Sequence, residues 1–275
     1  MLCTGPYRQG VQEFGCGQCM PCRINRRRLW VSRMMLEAYG HGDSVFATFT
    51  YDDEHLPLGG ELRKDDLRLF FKRARHSVGK FRYFAVGEYG SRGARPHYHA
   101  ALFGVSTLQQ AALEAAWGQG FVHLGELNER SAGYLAGYIA KGMTRAEDER
   151  LEGKQPEFAV MSRRPGLGAG AVAGIAAAEW TRGGAAAVAV EGDVATVVRI
   201  GGRKWPLGRT LRRHLRGAVG LDDGAGKDRA AVVARQLAAH LRQPGAVEHR
   251  ELVRQKDAQK AVAREAINRS RKVKL

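Results

Sequence analysis

No stretch of this 275-residue chain reaches the roughly 18 consecutive apolar residues that a membrane-spanning helix needs. The first residues are polar and lack the apolar core of a secretory signal, so a reducing, cytosolic compartment is expected. Acidic residues are scarce: 28 against 44 lysines and arginines, a formal net charge of +16. Such a balance argues against a polycationic partner and favours a polyanion, most simply nucleic acid. The plainer alternatives are an indifferent basic surface or a ribosome-associated protein. Beyond residue 22 there is no cysteine, and no internal repeat is evident.

What the chain does contain is concentrated in two stretches. Residues 95–103, Arg-Pro-His-Tyr-His-Ala-Ala-Leu-Phe, read as a strand. Side chains on a strand alternate, so His97 and His99 share one face, and Tyr98, Ala100 and Leu102 face an apolar layer on the other. Residues 134–141, Tyr-Leu-Ala-Gly-Tyr-Ile-Ala-Lys, read as a helix. At about 100° per residue, Tyr134, Tyr138 and Lys141 fall within roughly 60° of arc, while Leu135, Ile139 and Met143 lie on a packing face. A preceding strand, residues 81–89, should pair with the first as an antiparallel hairpin through the Gly/Arg-rich link 90–96. That pairing sets Glu88 beside His97 and His99.

Two imidazoles and a carboxylate leave open positions on a divalent metal, with Mg²⁺ or Mn²⁺ suited to phosphate chemistry. A cation of this kind polarises a phosphoryl oxygen. A phenol can attack the phosphorus to give a phosphotyrosine, and Lys141 can offset developing charge. Each element alone has a bland reading. His-x-His on a strand is more often structural than ligating, tyrosines at i and i+4 are usually packing residues, and a lone hairpin carboxylate is usually solvated. Gly133 and Gly137 each cost a helix interior about 1 kcal/mol relative to Ala, which is tolerable where DNA or the sheet must approach the helix closely.

In combination and in this order, the motifs resemble a known family. His97-Tyr98-His99 resembles the His-hydrophobic-His motif of the HUH endonucleases, which include rolling-circle initiators and relaxases. Tyr134-x3-Tyr138-x2-Lys141 resembles the two-tyrosine motif of initiators from small single-stranded-DNA phages. Glu88 stands where related viral initiators carry their third metal ligand, and Phe46–Tyr51 looks like the first strand motif. Together with the Cys-rich start, the blocks look most like the replication initiator of gokushovirus-type microviruses, over roughly residues 1–165. Met161–Gly166 adds a weaker match.

The resemblance implies a rolling-circle initiator that nicks single-stranded origin DNA and later rejoins the strand. Glu88, His97 and His99 would hold the metal. Tyr134 and Tyr138 would be the nucleophiles, with Lys141 assisting. Partners would be single-stranded or supercoiled viral origin DNA and the host's replication polymerase and helicase, in the bacterial cytoplasm. The rivals are a plasmid or transposon nickase of relaxase type and a catalytically silent basic DNA-binding protein.

The remaining sequence sets the frame. Cys3, Cys16, Cys19 and Cys22 can hold one zinc as a Cys₄ knot. The alternatives are an iron–sulfur cluster or plain reduced thiols, a disulfide being disfavoured in the cytosol. Helices are expected at about 23–38, 65–76 and 107–117, the last with a Thr107/Gln110 capping box, and another after an N-cap at Ser131. Strands are expected at 45–51 and 121–124; His123 on the latter reads as structural, and Asp52–His55 as a polar turn outside the site. The order gives an α+β fold, a central antiparallel sheet with flanking helices, ferredoxin-like. Residues 145–157 read as a linker or solvated loop, and 166–190, rich in Gly and Ala, as a loose connector. A hairpin at 196–205 and helices at about 228–242 and 246–271 complete a basic C-terminal region. The expected organisation is a leader, 1–22, an endonuclease domain, 23–145, and the C-terminal region, 146–275. Arg26, Arg27, Arg28 and Arg33 are candidate phosphate contacts, and Arg209, Arg212, Arg213, His214 and Arg216 form a basic cluster. The terminal Arg269, Arg271, Lys272 and Lys274 are candidates for non-specific DNA contact.

Overall fold

A computed structural model describes residues 1–10, 12–90, 94–140, 148–200, 202–222 and 224–272. It divides into two compact units, Trp30–Val172 on one side and Met1–Leu29 with Ala173–Leu275 on the other. The chain opens with a short hairpin, β1 (Tyr7–Gln9) and β2 (Gln12–Phe14), followed by a twenty-residue helix, α1 (Met20–Tyr39), inside which the division between the units falls.

The unit Trp30–Val172 carries β3 (Ser44–Tyr51), α2 (Lys64–Val78), β4 (Arg82–Tyr89), β5 (Pro96–Phe103), α3 (Gln110–Trp117), β6 (Gly120–Glu126), α4 (Glu129–Ala140) and β7 (Phe158–Met161). All five strands form one antiparallel sheet in the order β6-β3-β5-β4-β7. From β3 to β6 the chain runs strand, helix, strand, strand, helix, strand, the split βαβ arrangement expected of a ferredoxin-like fold. The β-branched and aromatic alternation of β3 produces its strict burial alternation, Val45, Ala47, Phe49 and Tyr51 all pointing into one layer.

That layer is the larger core. Leu67, Phe70, Phe71 and Ala74 of α2, at helical spacing, and Leu113 and Trp117 of α3 cover the sheet face formed by Phe49, Tyr98, Ala100 and Leu102. Trp117 is fully buried, and its indole N–H donates to the Thr50 carbonyl at 3.0 Å, so the ring costs no unpaired donor. The opposite sheet face is covered by Met34 of α1 and by Ala132, Leu135 and Ala136 of α4, packed on Phe84, Val86, Ala101 and Phe103. The ligand cluster lies on this second face.

Several local expectations are corrected. The capping box before α3 is Ser106 with Gln109, one residue earlier than Thr107 with Gln110, because Ser106 holds the extended backbone of a cap and a single 3₁₀ turn precedes the α-helix. Helix α4 starts at Glu129. Asn128 caps it, its Oδ1 accepting from the amides of Arg130 (2.9 Å) and Ser131 (3.1 Å), while Ser131 sits inside the first turn. Part of the segment 145–157 is no solvated loop, since Leu151 and Glu157 are buried. Strand β7, a four-residue apolar run, is not among the expected elements. Nothing within 4 Å would meet a Cβ at Gly137, so the sheet does not press on the helix there.

In the unit Met1–Leu29 with Ala173–Leu275, the Gly/Ala-rich stretch is helical rather than a loose connector, as α5 (Val172–Glu179) and α6 (Arg182–Glu191). Alanine has the highest intrinsic helix propensity, and the Thr181 hydroxyl caps α6 by accepting from the Gly184 amide. The hairpin of β8 (Val197–Ile200) and β9 (Arg203–Pro206) follows, then α7 (Arg209–Ala218), α8 (Ala225–His240) and α9 (Ala246–Lys272). Two members of the basic cluster serve the fold. Arg216 grips the buried Asp193 through two hydrogen bonds of 2.6 and 2.9 Å, and Arg212 pairs with the same carboxylate. Of the terminal basic residues, Lys274 lies outside the described residues. Among the described residues no helix is long and apolar enough to cross a membrane.

Candidate metal centre and its tyrosines

The hairpin of β4 and β5 places Glu88 directly opposite His97, and His99 opposite Val86. Because residues at i and i+2 share a face, both imidazoles reach the carboxylate. His97 Nε2 and His99 Nε2 each lie 3.0 Å from the same oxygen, Glu88 Oε1. Glu88 and His99 are buried and His97 is half-buried. The ligand-capable atoms of the three residues all fall within 4.8 Å of one another.

The outer nitrogens show what the cluster requires. His97 Nδ1 lies 3.1 Å from the Arg95 carbonyl, which can only accept, so Nδ1 carries a proton. His97 Nε2 then faces Glu88 Oε1 either as a lone pair against lone pairs or as the second N–H of an imidazolium. A positive charge must lie between them in either case. A proton supplies it at one extreme, and the donor set supplies a seat for a divalent cation at the other. His99 is held similarly, with Nδ1 2.9 Å from Thr48 Oγ1 on β3 and its ring stacked on Phe46. Arg95 itself is anchored to Asp53 (2.7 Å) and to the Tyr51 carbonyl (2.9 Å).

The electrostatics agree with this picture. Burial alone would raise the Glu88 carboxyl, but the hydrogen bonds from His97 and His99 and the charge of His99 outweigh it and bring it down to about 2. Burial disfavours the charged form of His97, yet the hydrogen bond and charge of Glu88 raise it above the ordinary imidazole value.

Helix α4 brings Tyr134 to the same point. Its hydroxyl donates to Glu88 Oε1 at 2.5 Å and lies 3.3 Å from His99 Nε2. Burial, and then the charge of Glu88, raise this phenol well above its usual range. Tyr138, one turn later, is buried, and its ring sits 5.2 Å from that of Tyr134. It lines a cavity of about 240 Å³ with Trp30, Glu157, Phe158 and Met161. Lys141 and Met143 lie outside the described residues.

Sequence reading missed several neighbours. Thr48 and Phe46 belong to a strand that reads as purely structural, and only the register of β3 with β5 reveals them. Glu157 is buried one residue before β7 and adds negative charge felt by His97 and Tyr134. His123 is exposed rather than structural and pairs in register with Thr48, on the ligand side of the sheet. Asp52–His55 is a polar turn as expected, with His55 Nδ1 2.7 Å from Asp52 Oδ1. The candidate phosphate contacts are partly committed elsewhere: Arg26 donates to the Gly17 carbonyl and Arg33 to the Leu167 carbonyl, while Arg28 is exposed.

Comparison with known proteins agrees with the resemblance read from the motifs. Residues 44–143, which include Glu88, both histidines and both tyrosines, match the family model of the replication-associated protein ORF2. The chain is 30% identical over 160 residues to replication-associated protein VP4 of Bdellovibrio phage phiMH2K, covering 50% of each chain. It is 30% identical over 179 residues to replication-associated protein ORF2 of Spiroplasma virus 4, covering 55% of each. It is 28% identical over 163 residues to replication-associated protein ORF4 of Chlamydia phage 1, covering 49% of this chain and 40% of that one. The chain thus spans about half the length of the relatives it matches. No solved structure matches it significantly.

Proposed function

We propose that this chain initiates replication of a small phage genome by nicking single-stranded origin DNA through a tyrosine nucleophile. The observation that carries the reading is the position of the Tyr134 hydroxyl, within hydrogen-bonding reach of both Glu88 and His99. A phenol so placed meets any phosphate drawn to the Glu88, His97 and His99 cluster.

Glu88, His97 and His99 would hold a divalent cation, Mg²⁺ or Mn²⁺. When bound, the cation polarises a phosphoryl oxygen and neutralises the carboxylate that otherwise holds the neighbouring phenol protonated. The protein's own groups do the rest. Thr48 and the Arg95 carbonyl fix the two imidazoles so that their Nε2 atoms converge. Tyr134 attacks phosphorus, its O–P bond forms as the bond to the 3′ oxygen breaks, and a 5′-phosphotyrosine and a free 3′-OH result. The host polymerase extends that 3′-OH behind a helicase. Tyr138, packed against Tyr134, takes the second transfer when the origin is regenerated, and the displaced strand is closed by attack of its own 3′-OH. Lys141 would offset charge in these transfers. The setting is the cytoplasm of the bacterial host.

The test is an origin-derived single-stranded oligonucleotide incubated with the protein and Mn²⁺ and run on a denaturing gel. A heat- and detergent-resistant adduct is expected. It should vanish in the Tyr134→Phe/Tyr138→Phe double variant, with salt-sensitive binding retained. Adduct formed equally by the double variant removes the nucleophile assignment. Binding without adduct by the wild type leaves a DNA-binding protein only.

A further inference from the structure

The four cysteines lie in the other compact unit, away in sequence from the histidine cluster, and their arrangement is specific. The Sγ atoms of Cys3, Cys16, Cys19 and Cys22 all fall within 4.8 Å of one another. Cys3 and Cys19 are 3.7 Å apart at sulfur. Four thiolates at about 2.3 Å from one tetrahedral zinc have edges of about 3.8 Å. The same separation is far too long for a disulfide, whose sulfurs bond at about 2.05 Å, and the four thiols are free. Sulfurs so close enclose one ion and leave no room for the irons and sulfides of a cluster.

Three cysteines in seven residues look crowded in sequence, and the backbone shows how they are accommodated. Cys16–Cys19 and Cys19–Cys22 are two overlapping turns that share Cys19. The first uses Gly17 at φ +75°, a conformation open to glycine at little cost. The second runs into the first turn of α1, where Pro21 is tolerated. A side chain at Gly15 would bring its Cβ to 3.0 Å from Cys22 Sγ. Each sulfur accepts at least one backbone amide. Cys3 accepts from Cys16 at 3.3 Å, and Cys16 from Gln18 and Cys19 at 3.5 and 3.3 Å. Cys19 accepts from Thr4 and Cys22, and Cys22 from Gly17. Amides aimed at sulfur stabilise thiolate ligands and orient them.

We propose that Cys3, Cys16, Cys19 and Cys22 bind one structural zinc ion, which fastens the N-terminal hairpin to the start of α1. The hairpin is tied at its far side as well. Glu13 pairs with Arg250 (2.5 Å) and Arg254 (2.8 Å) of α9, and the Leu2 amide donates to Asp257 at 2.7 Å. The ion therefore completes a clamp whose other jaw is ionic.

The experiment is metal analysis of the full chain, purified without a metal-affinity tag, under reducing conditions. One zinc per chain is expected, released stoichiometrically when a mercurial titrates the thiols. It should be absent from Cys3→Ser and Cys19→Ser and retained by His97→Ala/His99→Ala. Cobalt replacing zinc in the wild type should show the thiolate-to-cobalt charge-transfer band and intense visible bands of a tetrahedral sulfur site, a readout independent of whether the serine variants fold. Zinc removal should speed tryptic cleavage at Arg8. Wild-type protein that neither carries nor takes up zinc overturns the assignment. So does zinc that follows the histidines instead of the cysteines, or iron with a cluster's visible spectrum.

Discussion

Replacing Thr48 by valine tests how the metal centre is built. Thr48 Oγ1 lies 2.9 Å from His99 Nδ1 on the adjacent, in-register strand. Holding the Nδ1 proton leaves the Nε2 lone pair directed at the cluster. Valine keeps the shape of the side chain and its β propensity but removes the acceptor. His99 is only 8% exposed, so water replaces the lost partner poorly, and an unsatisfied buried donor costs about 1–3 kcal/mol. Loss of such an outer partner weakens metal binding by about 10- to 100-fold, equivalent to about 1.4–2.7 kcal/mol. Titrating Mn²⁺ into the purified protein and following free Mn²⁺ by electron paramagnetic resonance measures this directly. The dissociation constant should rise by that factor in Thr48→Val and recover in Thr48→Ser. A valine variant within about twofold of wild type, well short of that factor, refutes the claim that this hydrogen bond sets the ligand's orientation.

Three further outcomes are expected. Asp193→Asn should destabilise the protein by about 3–5 kcal/mol, because it strands Arg212 and Arg216 at a buried pair; an unchanged denaturant midpoint contradicts this. Burial would raise the Asp193 carboxyl, but Arg216, the Val194 amide and Arg212 hold it below the usual carboxylate value. Its contribution is therefore complete above the ordinary aspartate value of 3.8 and is lost as pH falls through the lower folded value, so the melting temperatures of wild type and Asp193→Asn should converge only in strong acid. Gly137→Ala, which meets nothing within 4 Å, should stabilise α4 by about 1 kcal/mol; a lowered melting temperature contradicts the open space, and a raised one with weakened oligonucleotide binding marks the face that DNA approaches closely.

The metal hairpin was legible in the sequence because its information is local. Alternation puts His97 and His99 together, and a short link fixes which strand pairs with theirs. Tyr134 followed from helical spacing combined with the family resemblance, although nothing in the spacing says that α4 lies over the histidine face. Thr48, Phe46 and Glu157 were illegible for the opposite reason. They reach the cluster through register between strands far apart in the chain, and a threonine or phenylalanine on a strand carries no sign of it. The Gly/Ala-rich segment misled because small residues lack a hydrophobic stripe, leaving propensity and one threonine cap to make α5 and α6. Arg212 and Arg216 misled because a charge run in sequence does not disclose a buried aspartate waiting for it.

The covalent chemistry is tested most directly by mass spectrometry of the trapped adduct. Trypsin cuts after Arg130 and Lys141, so residues 131–141 form one peptide that holds both Tyr134 and Tyr138. After nuclease trimming, a nucleotide 5′-phosphate remnant should be found on a tyrosine of that peptide. A remnant on any other peptide, or an adduct that leaves residues 131–141 unmodified, contradicts the account.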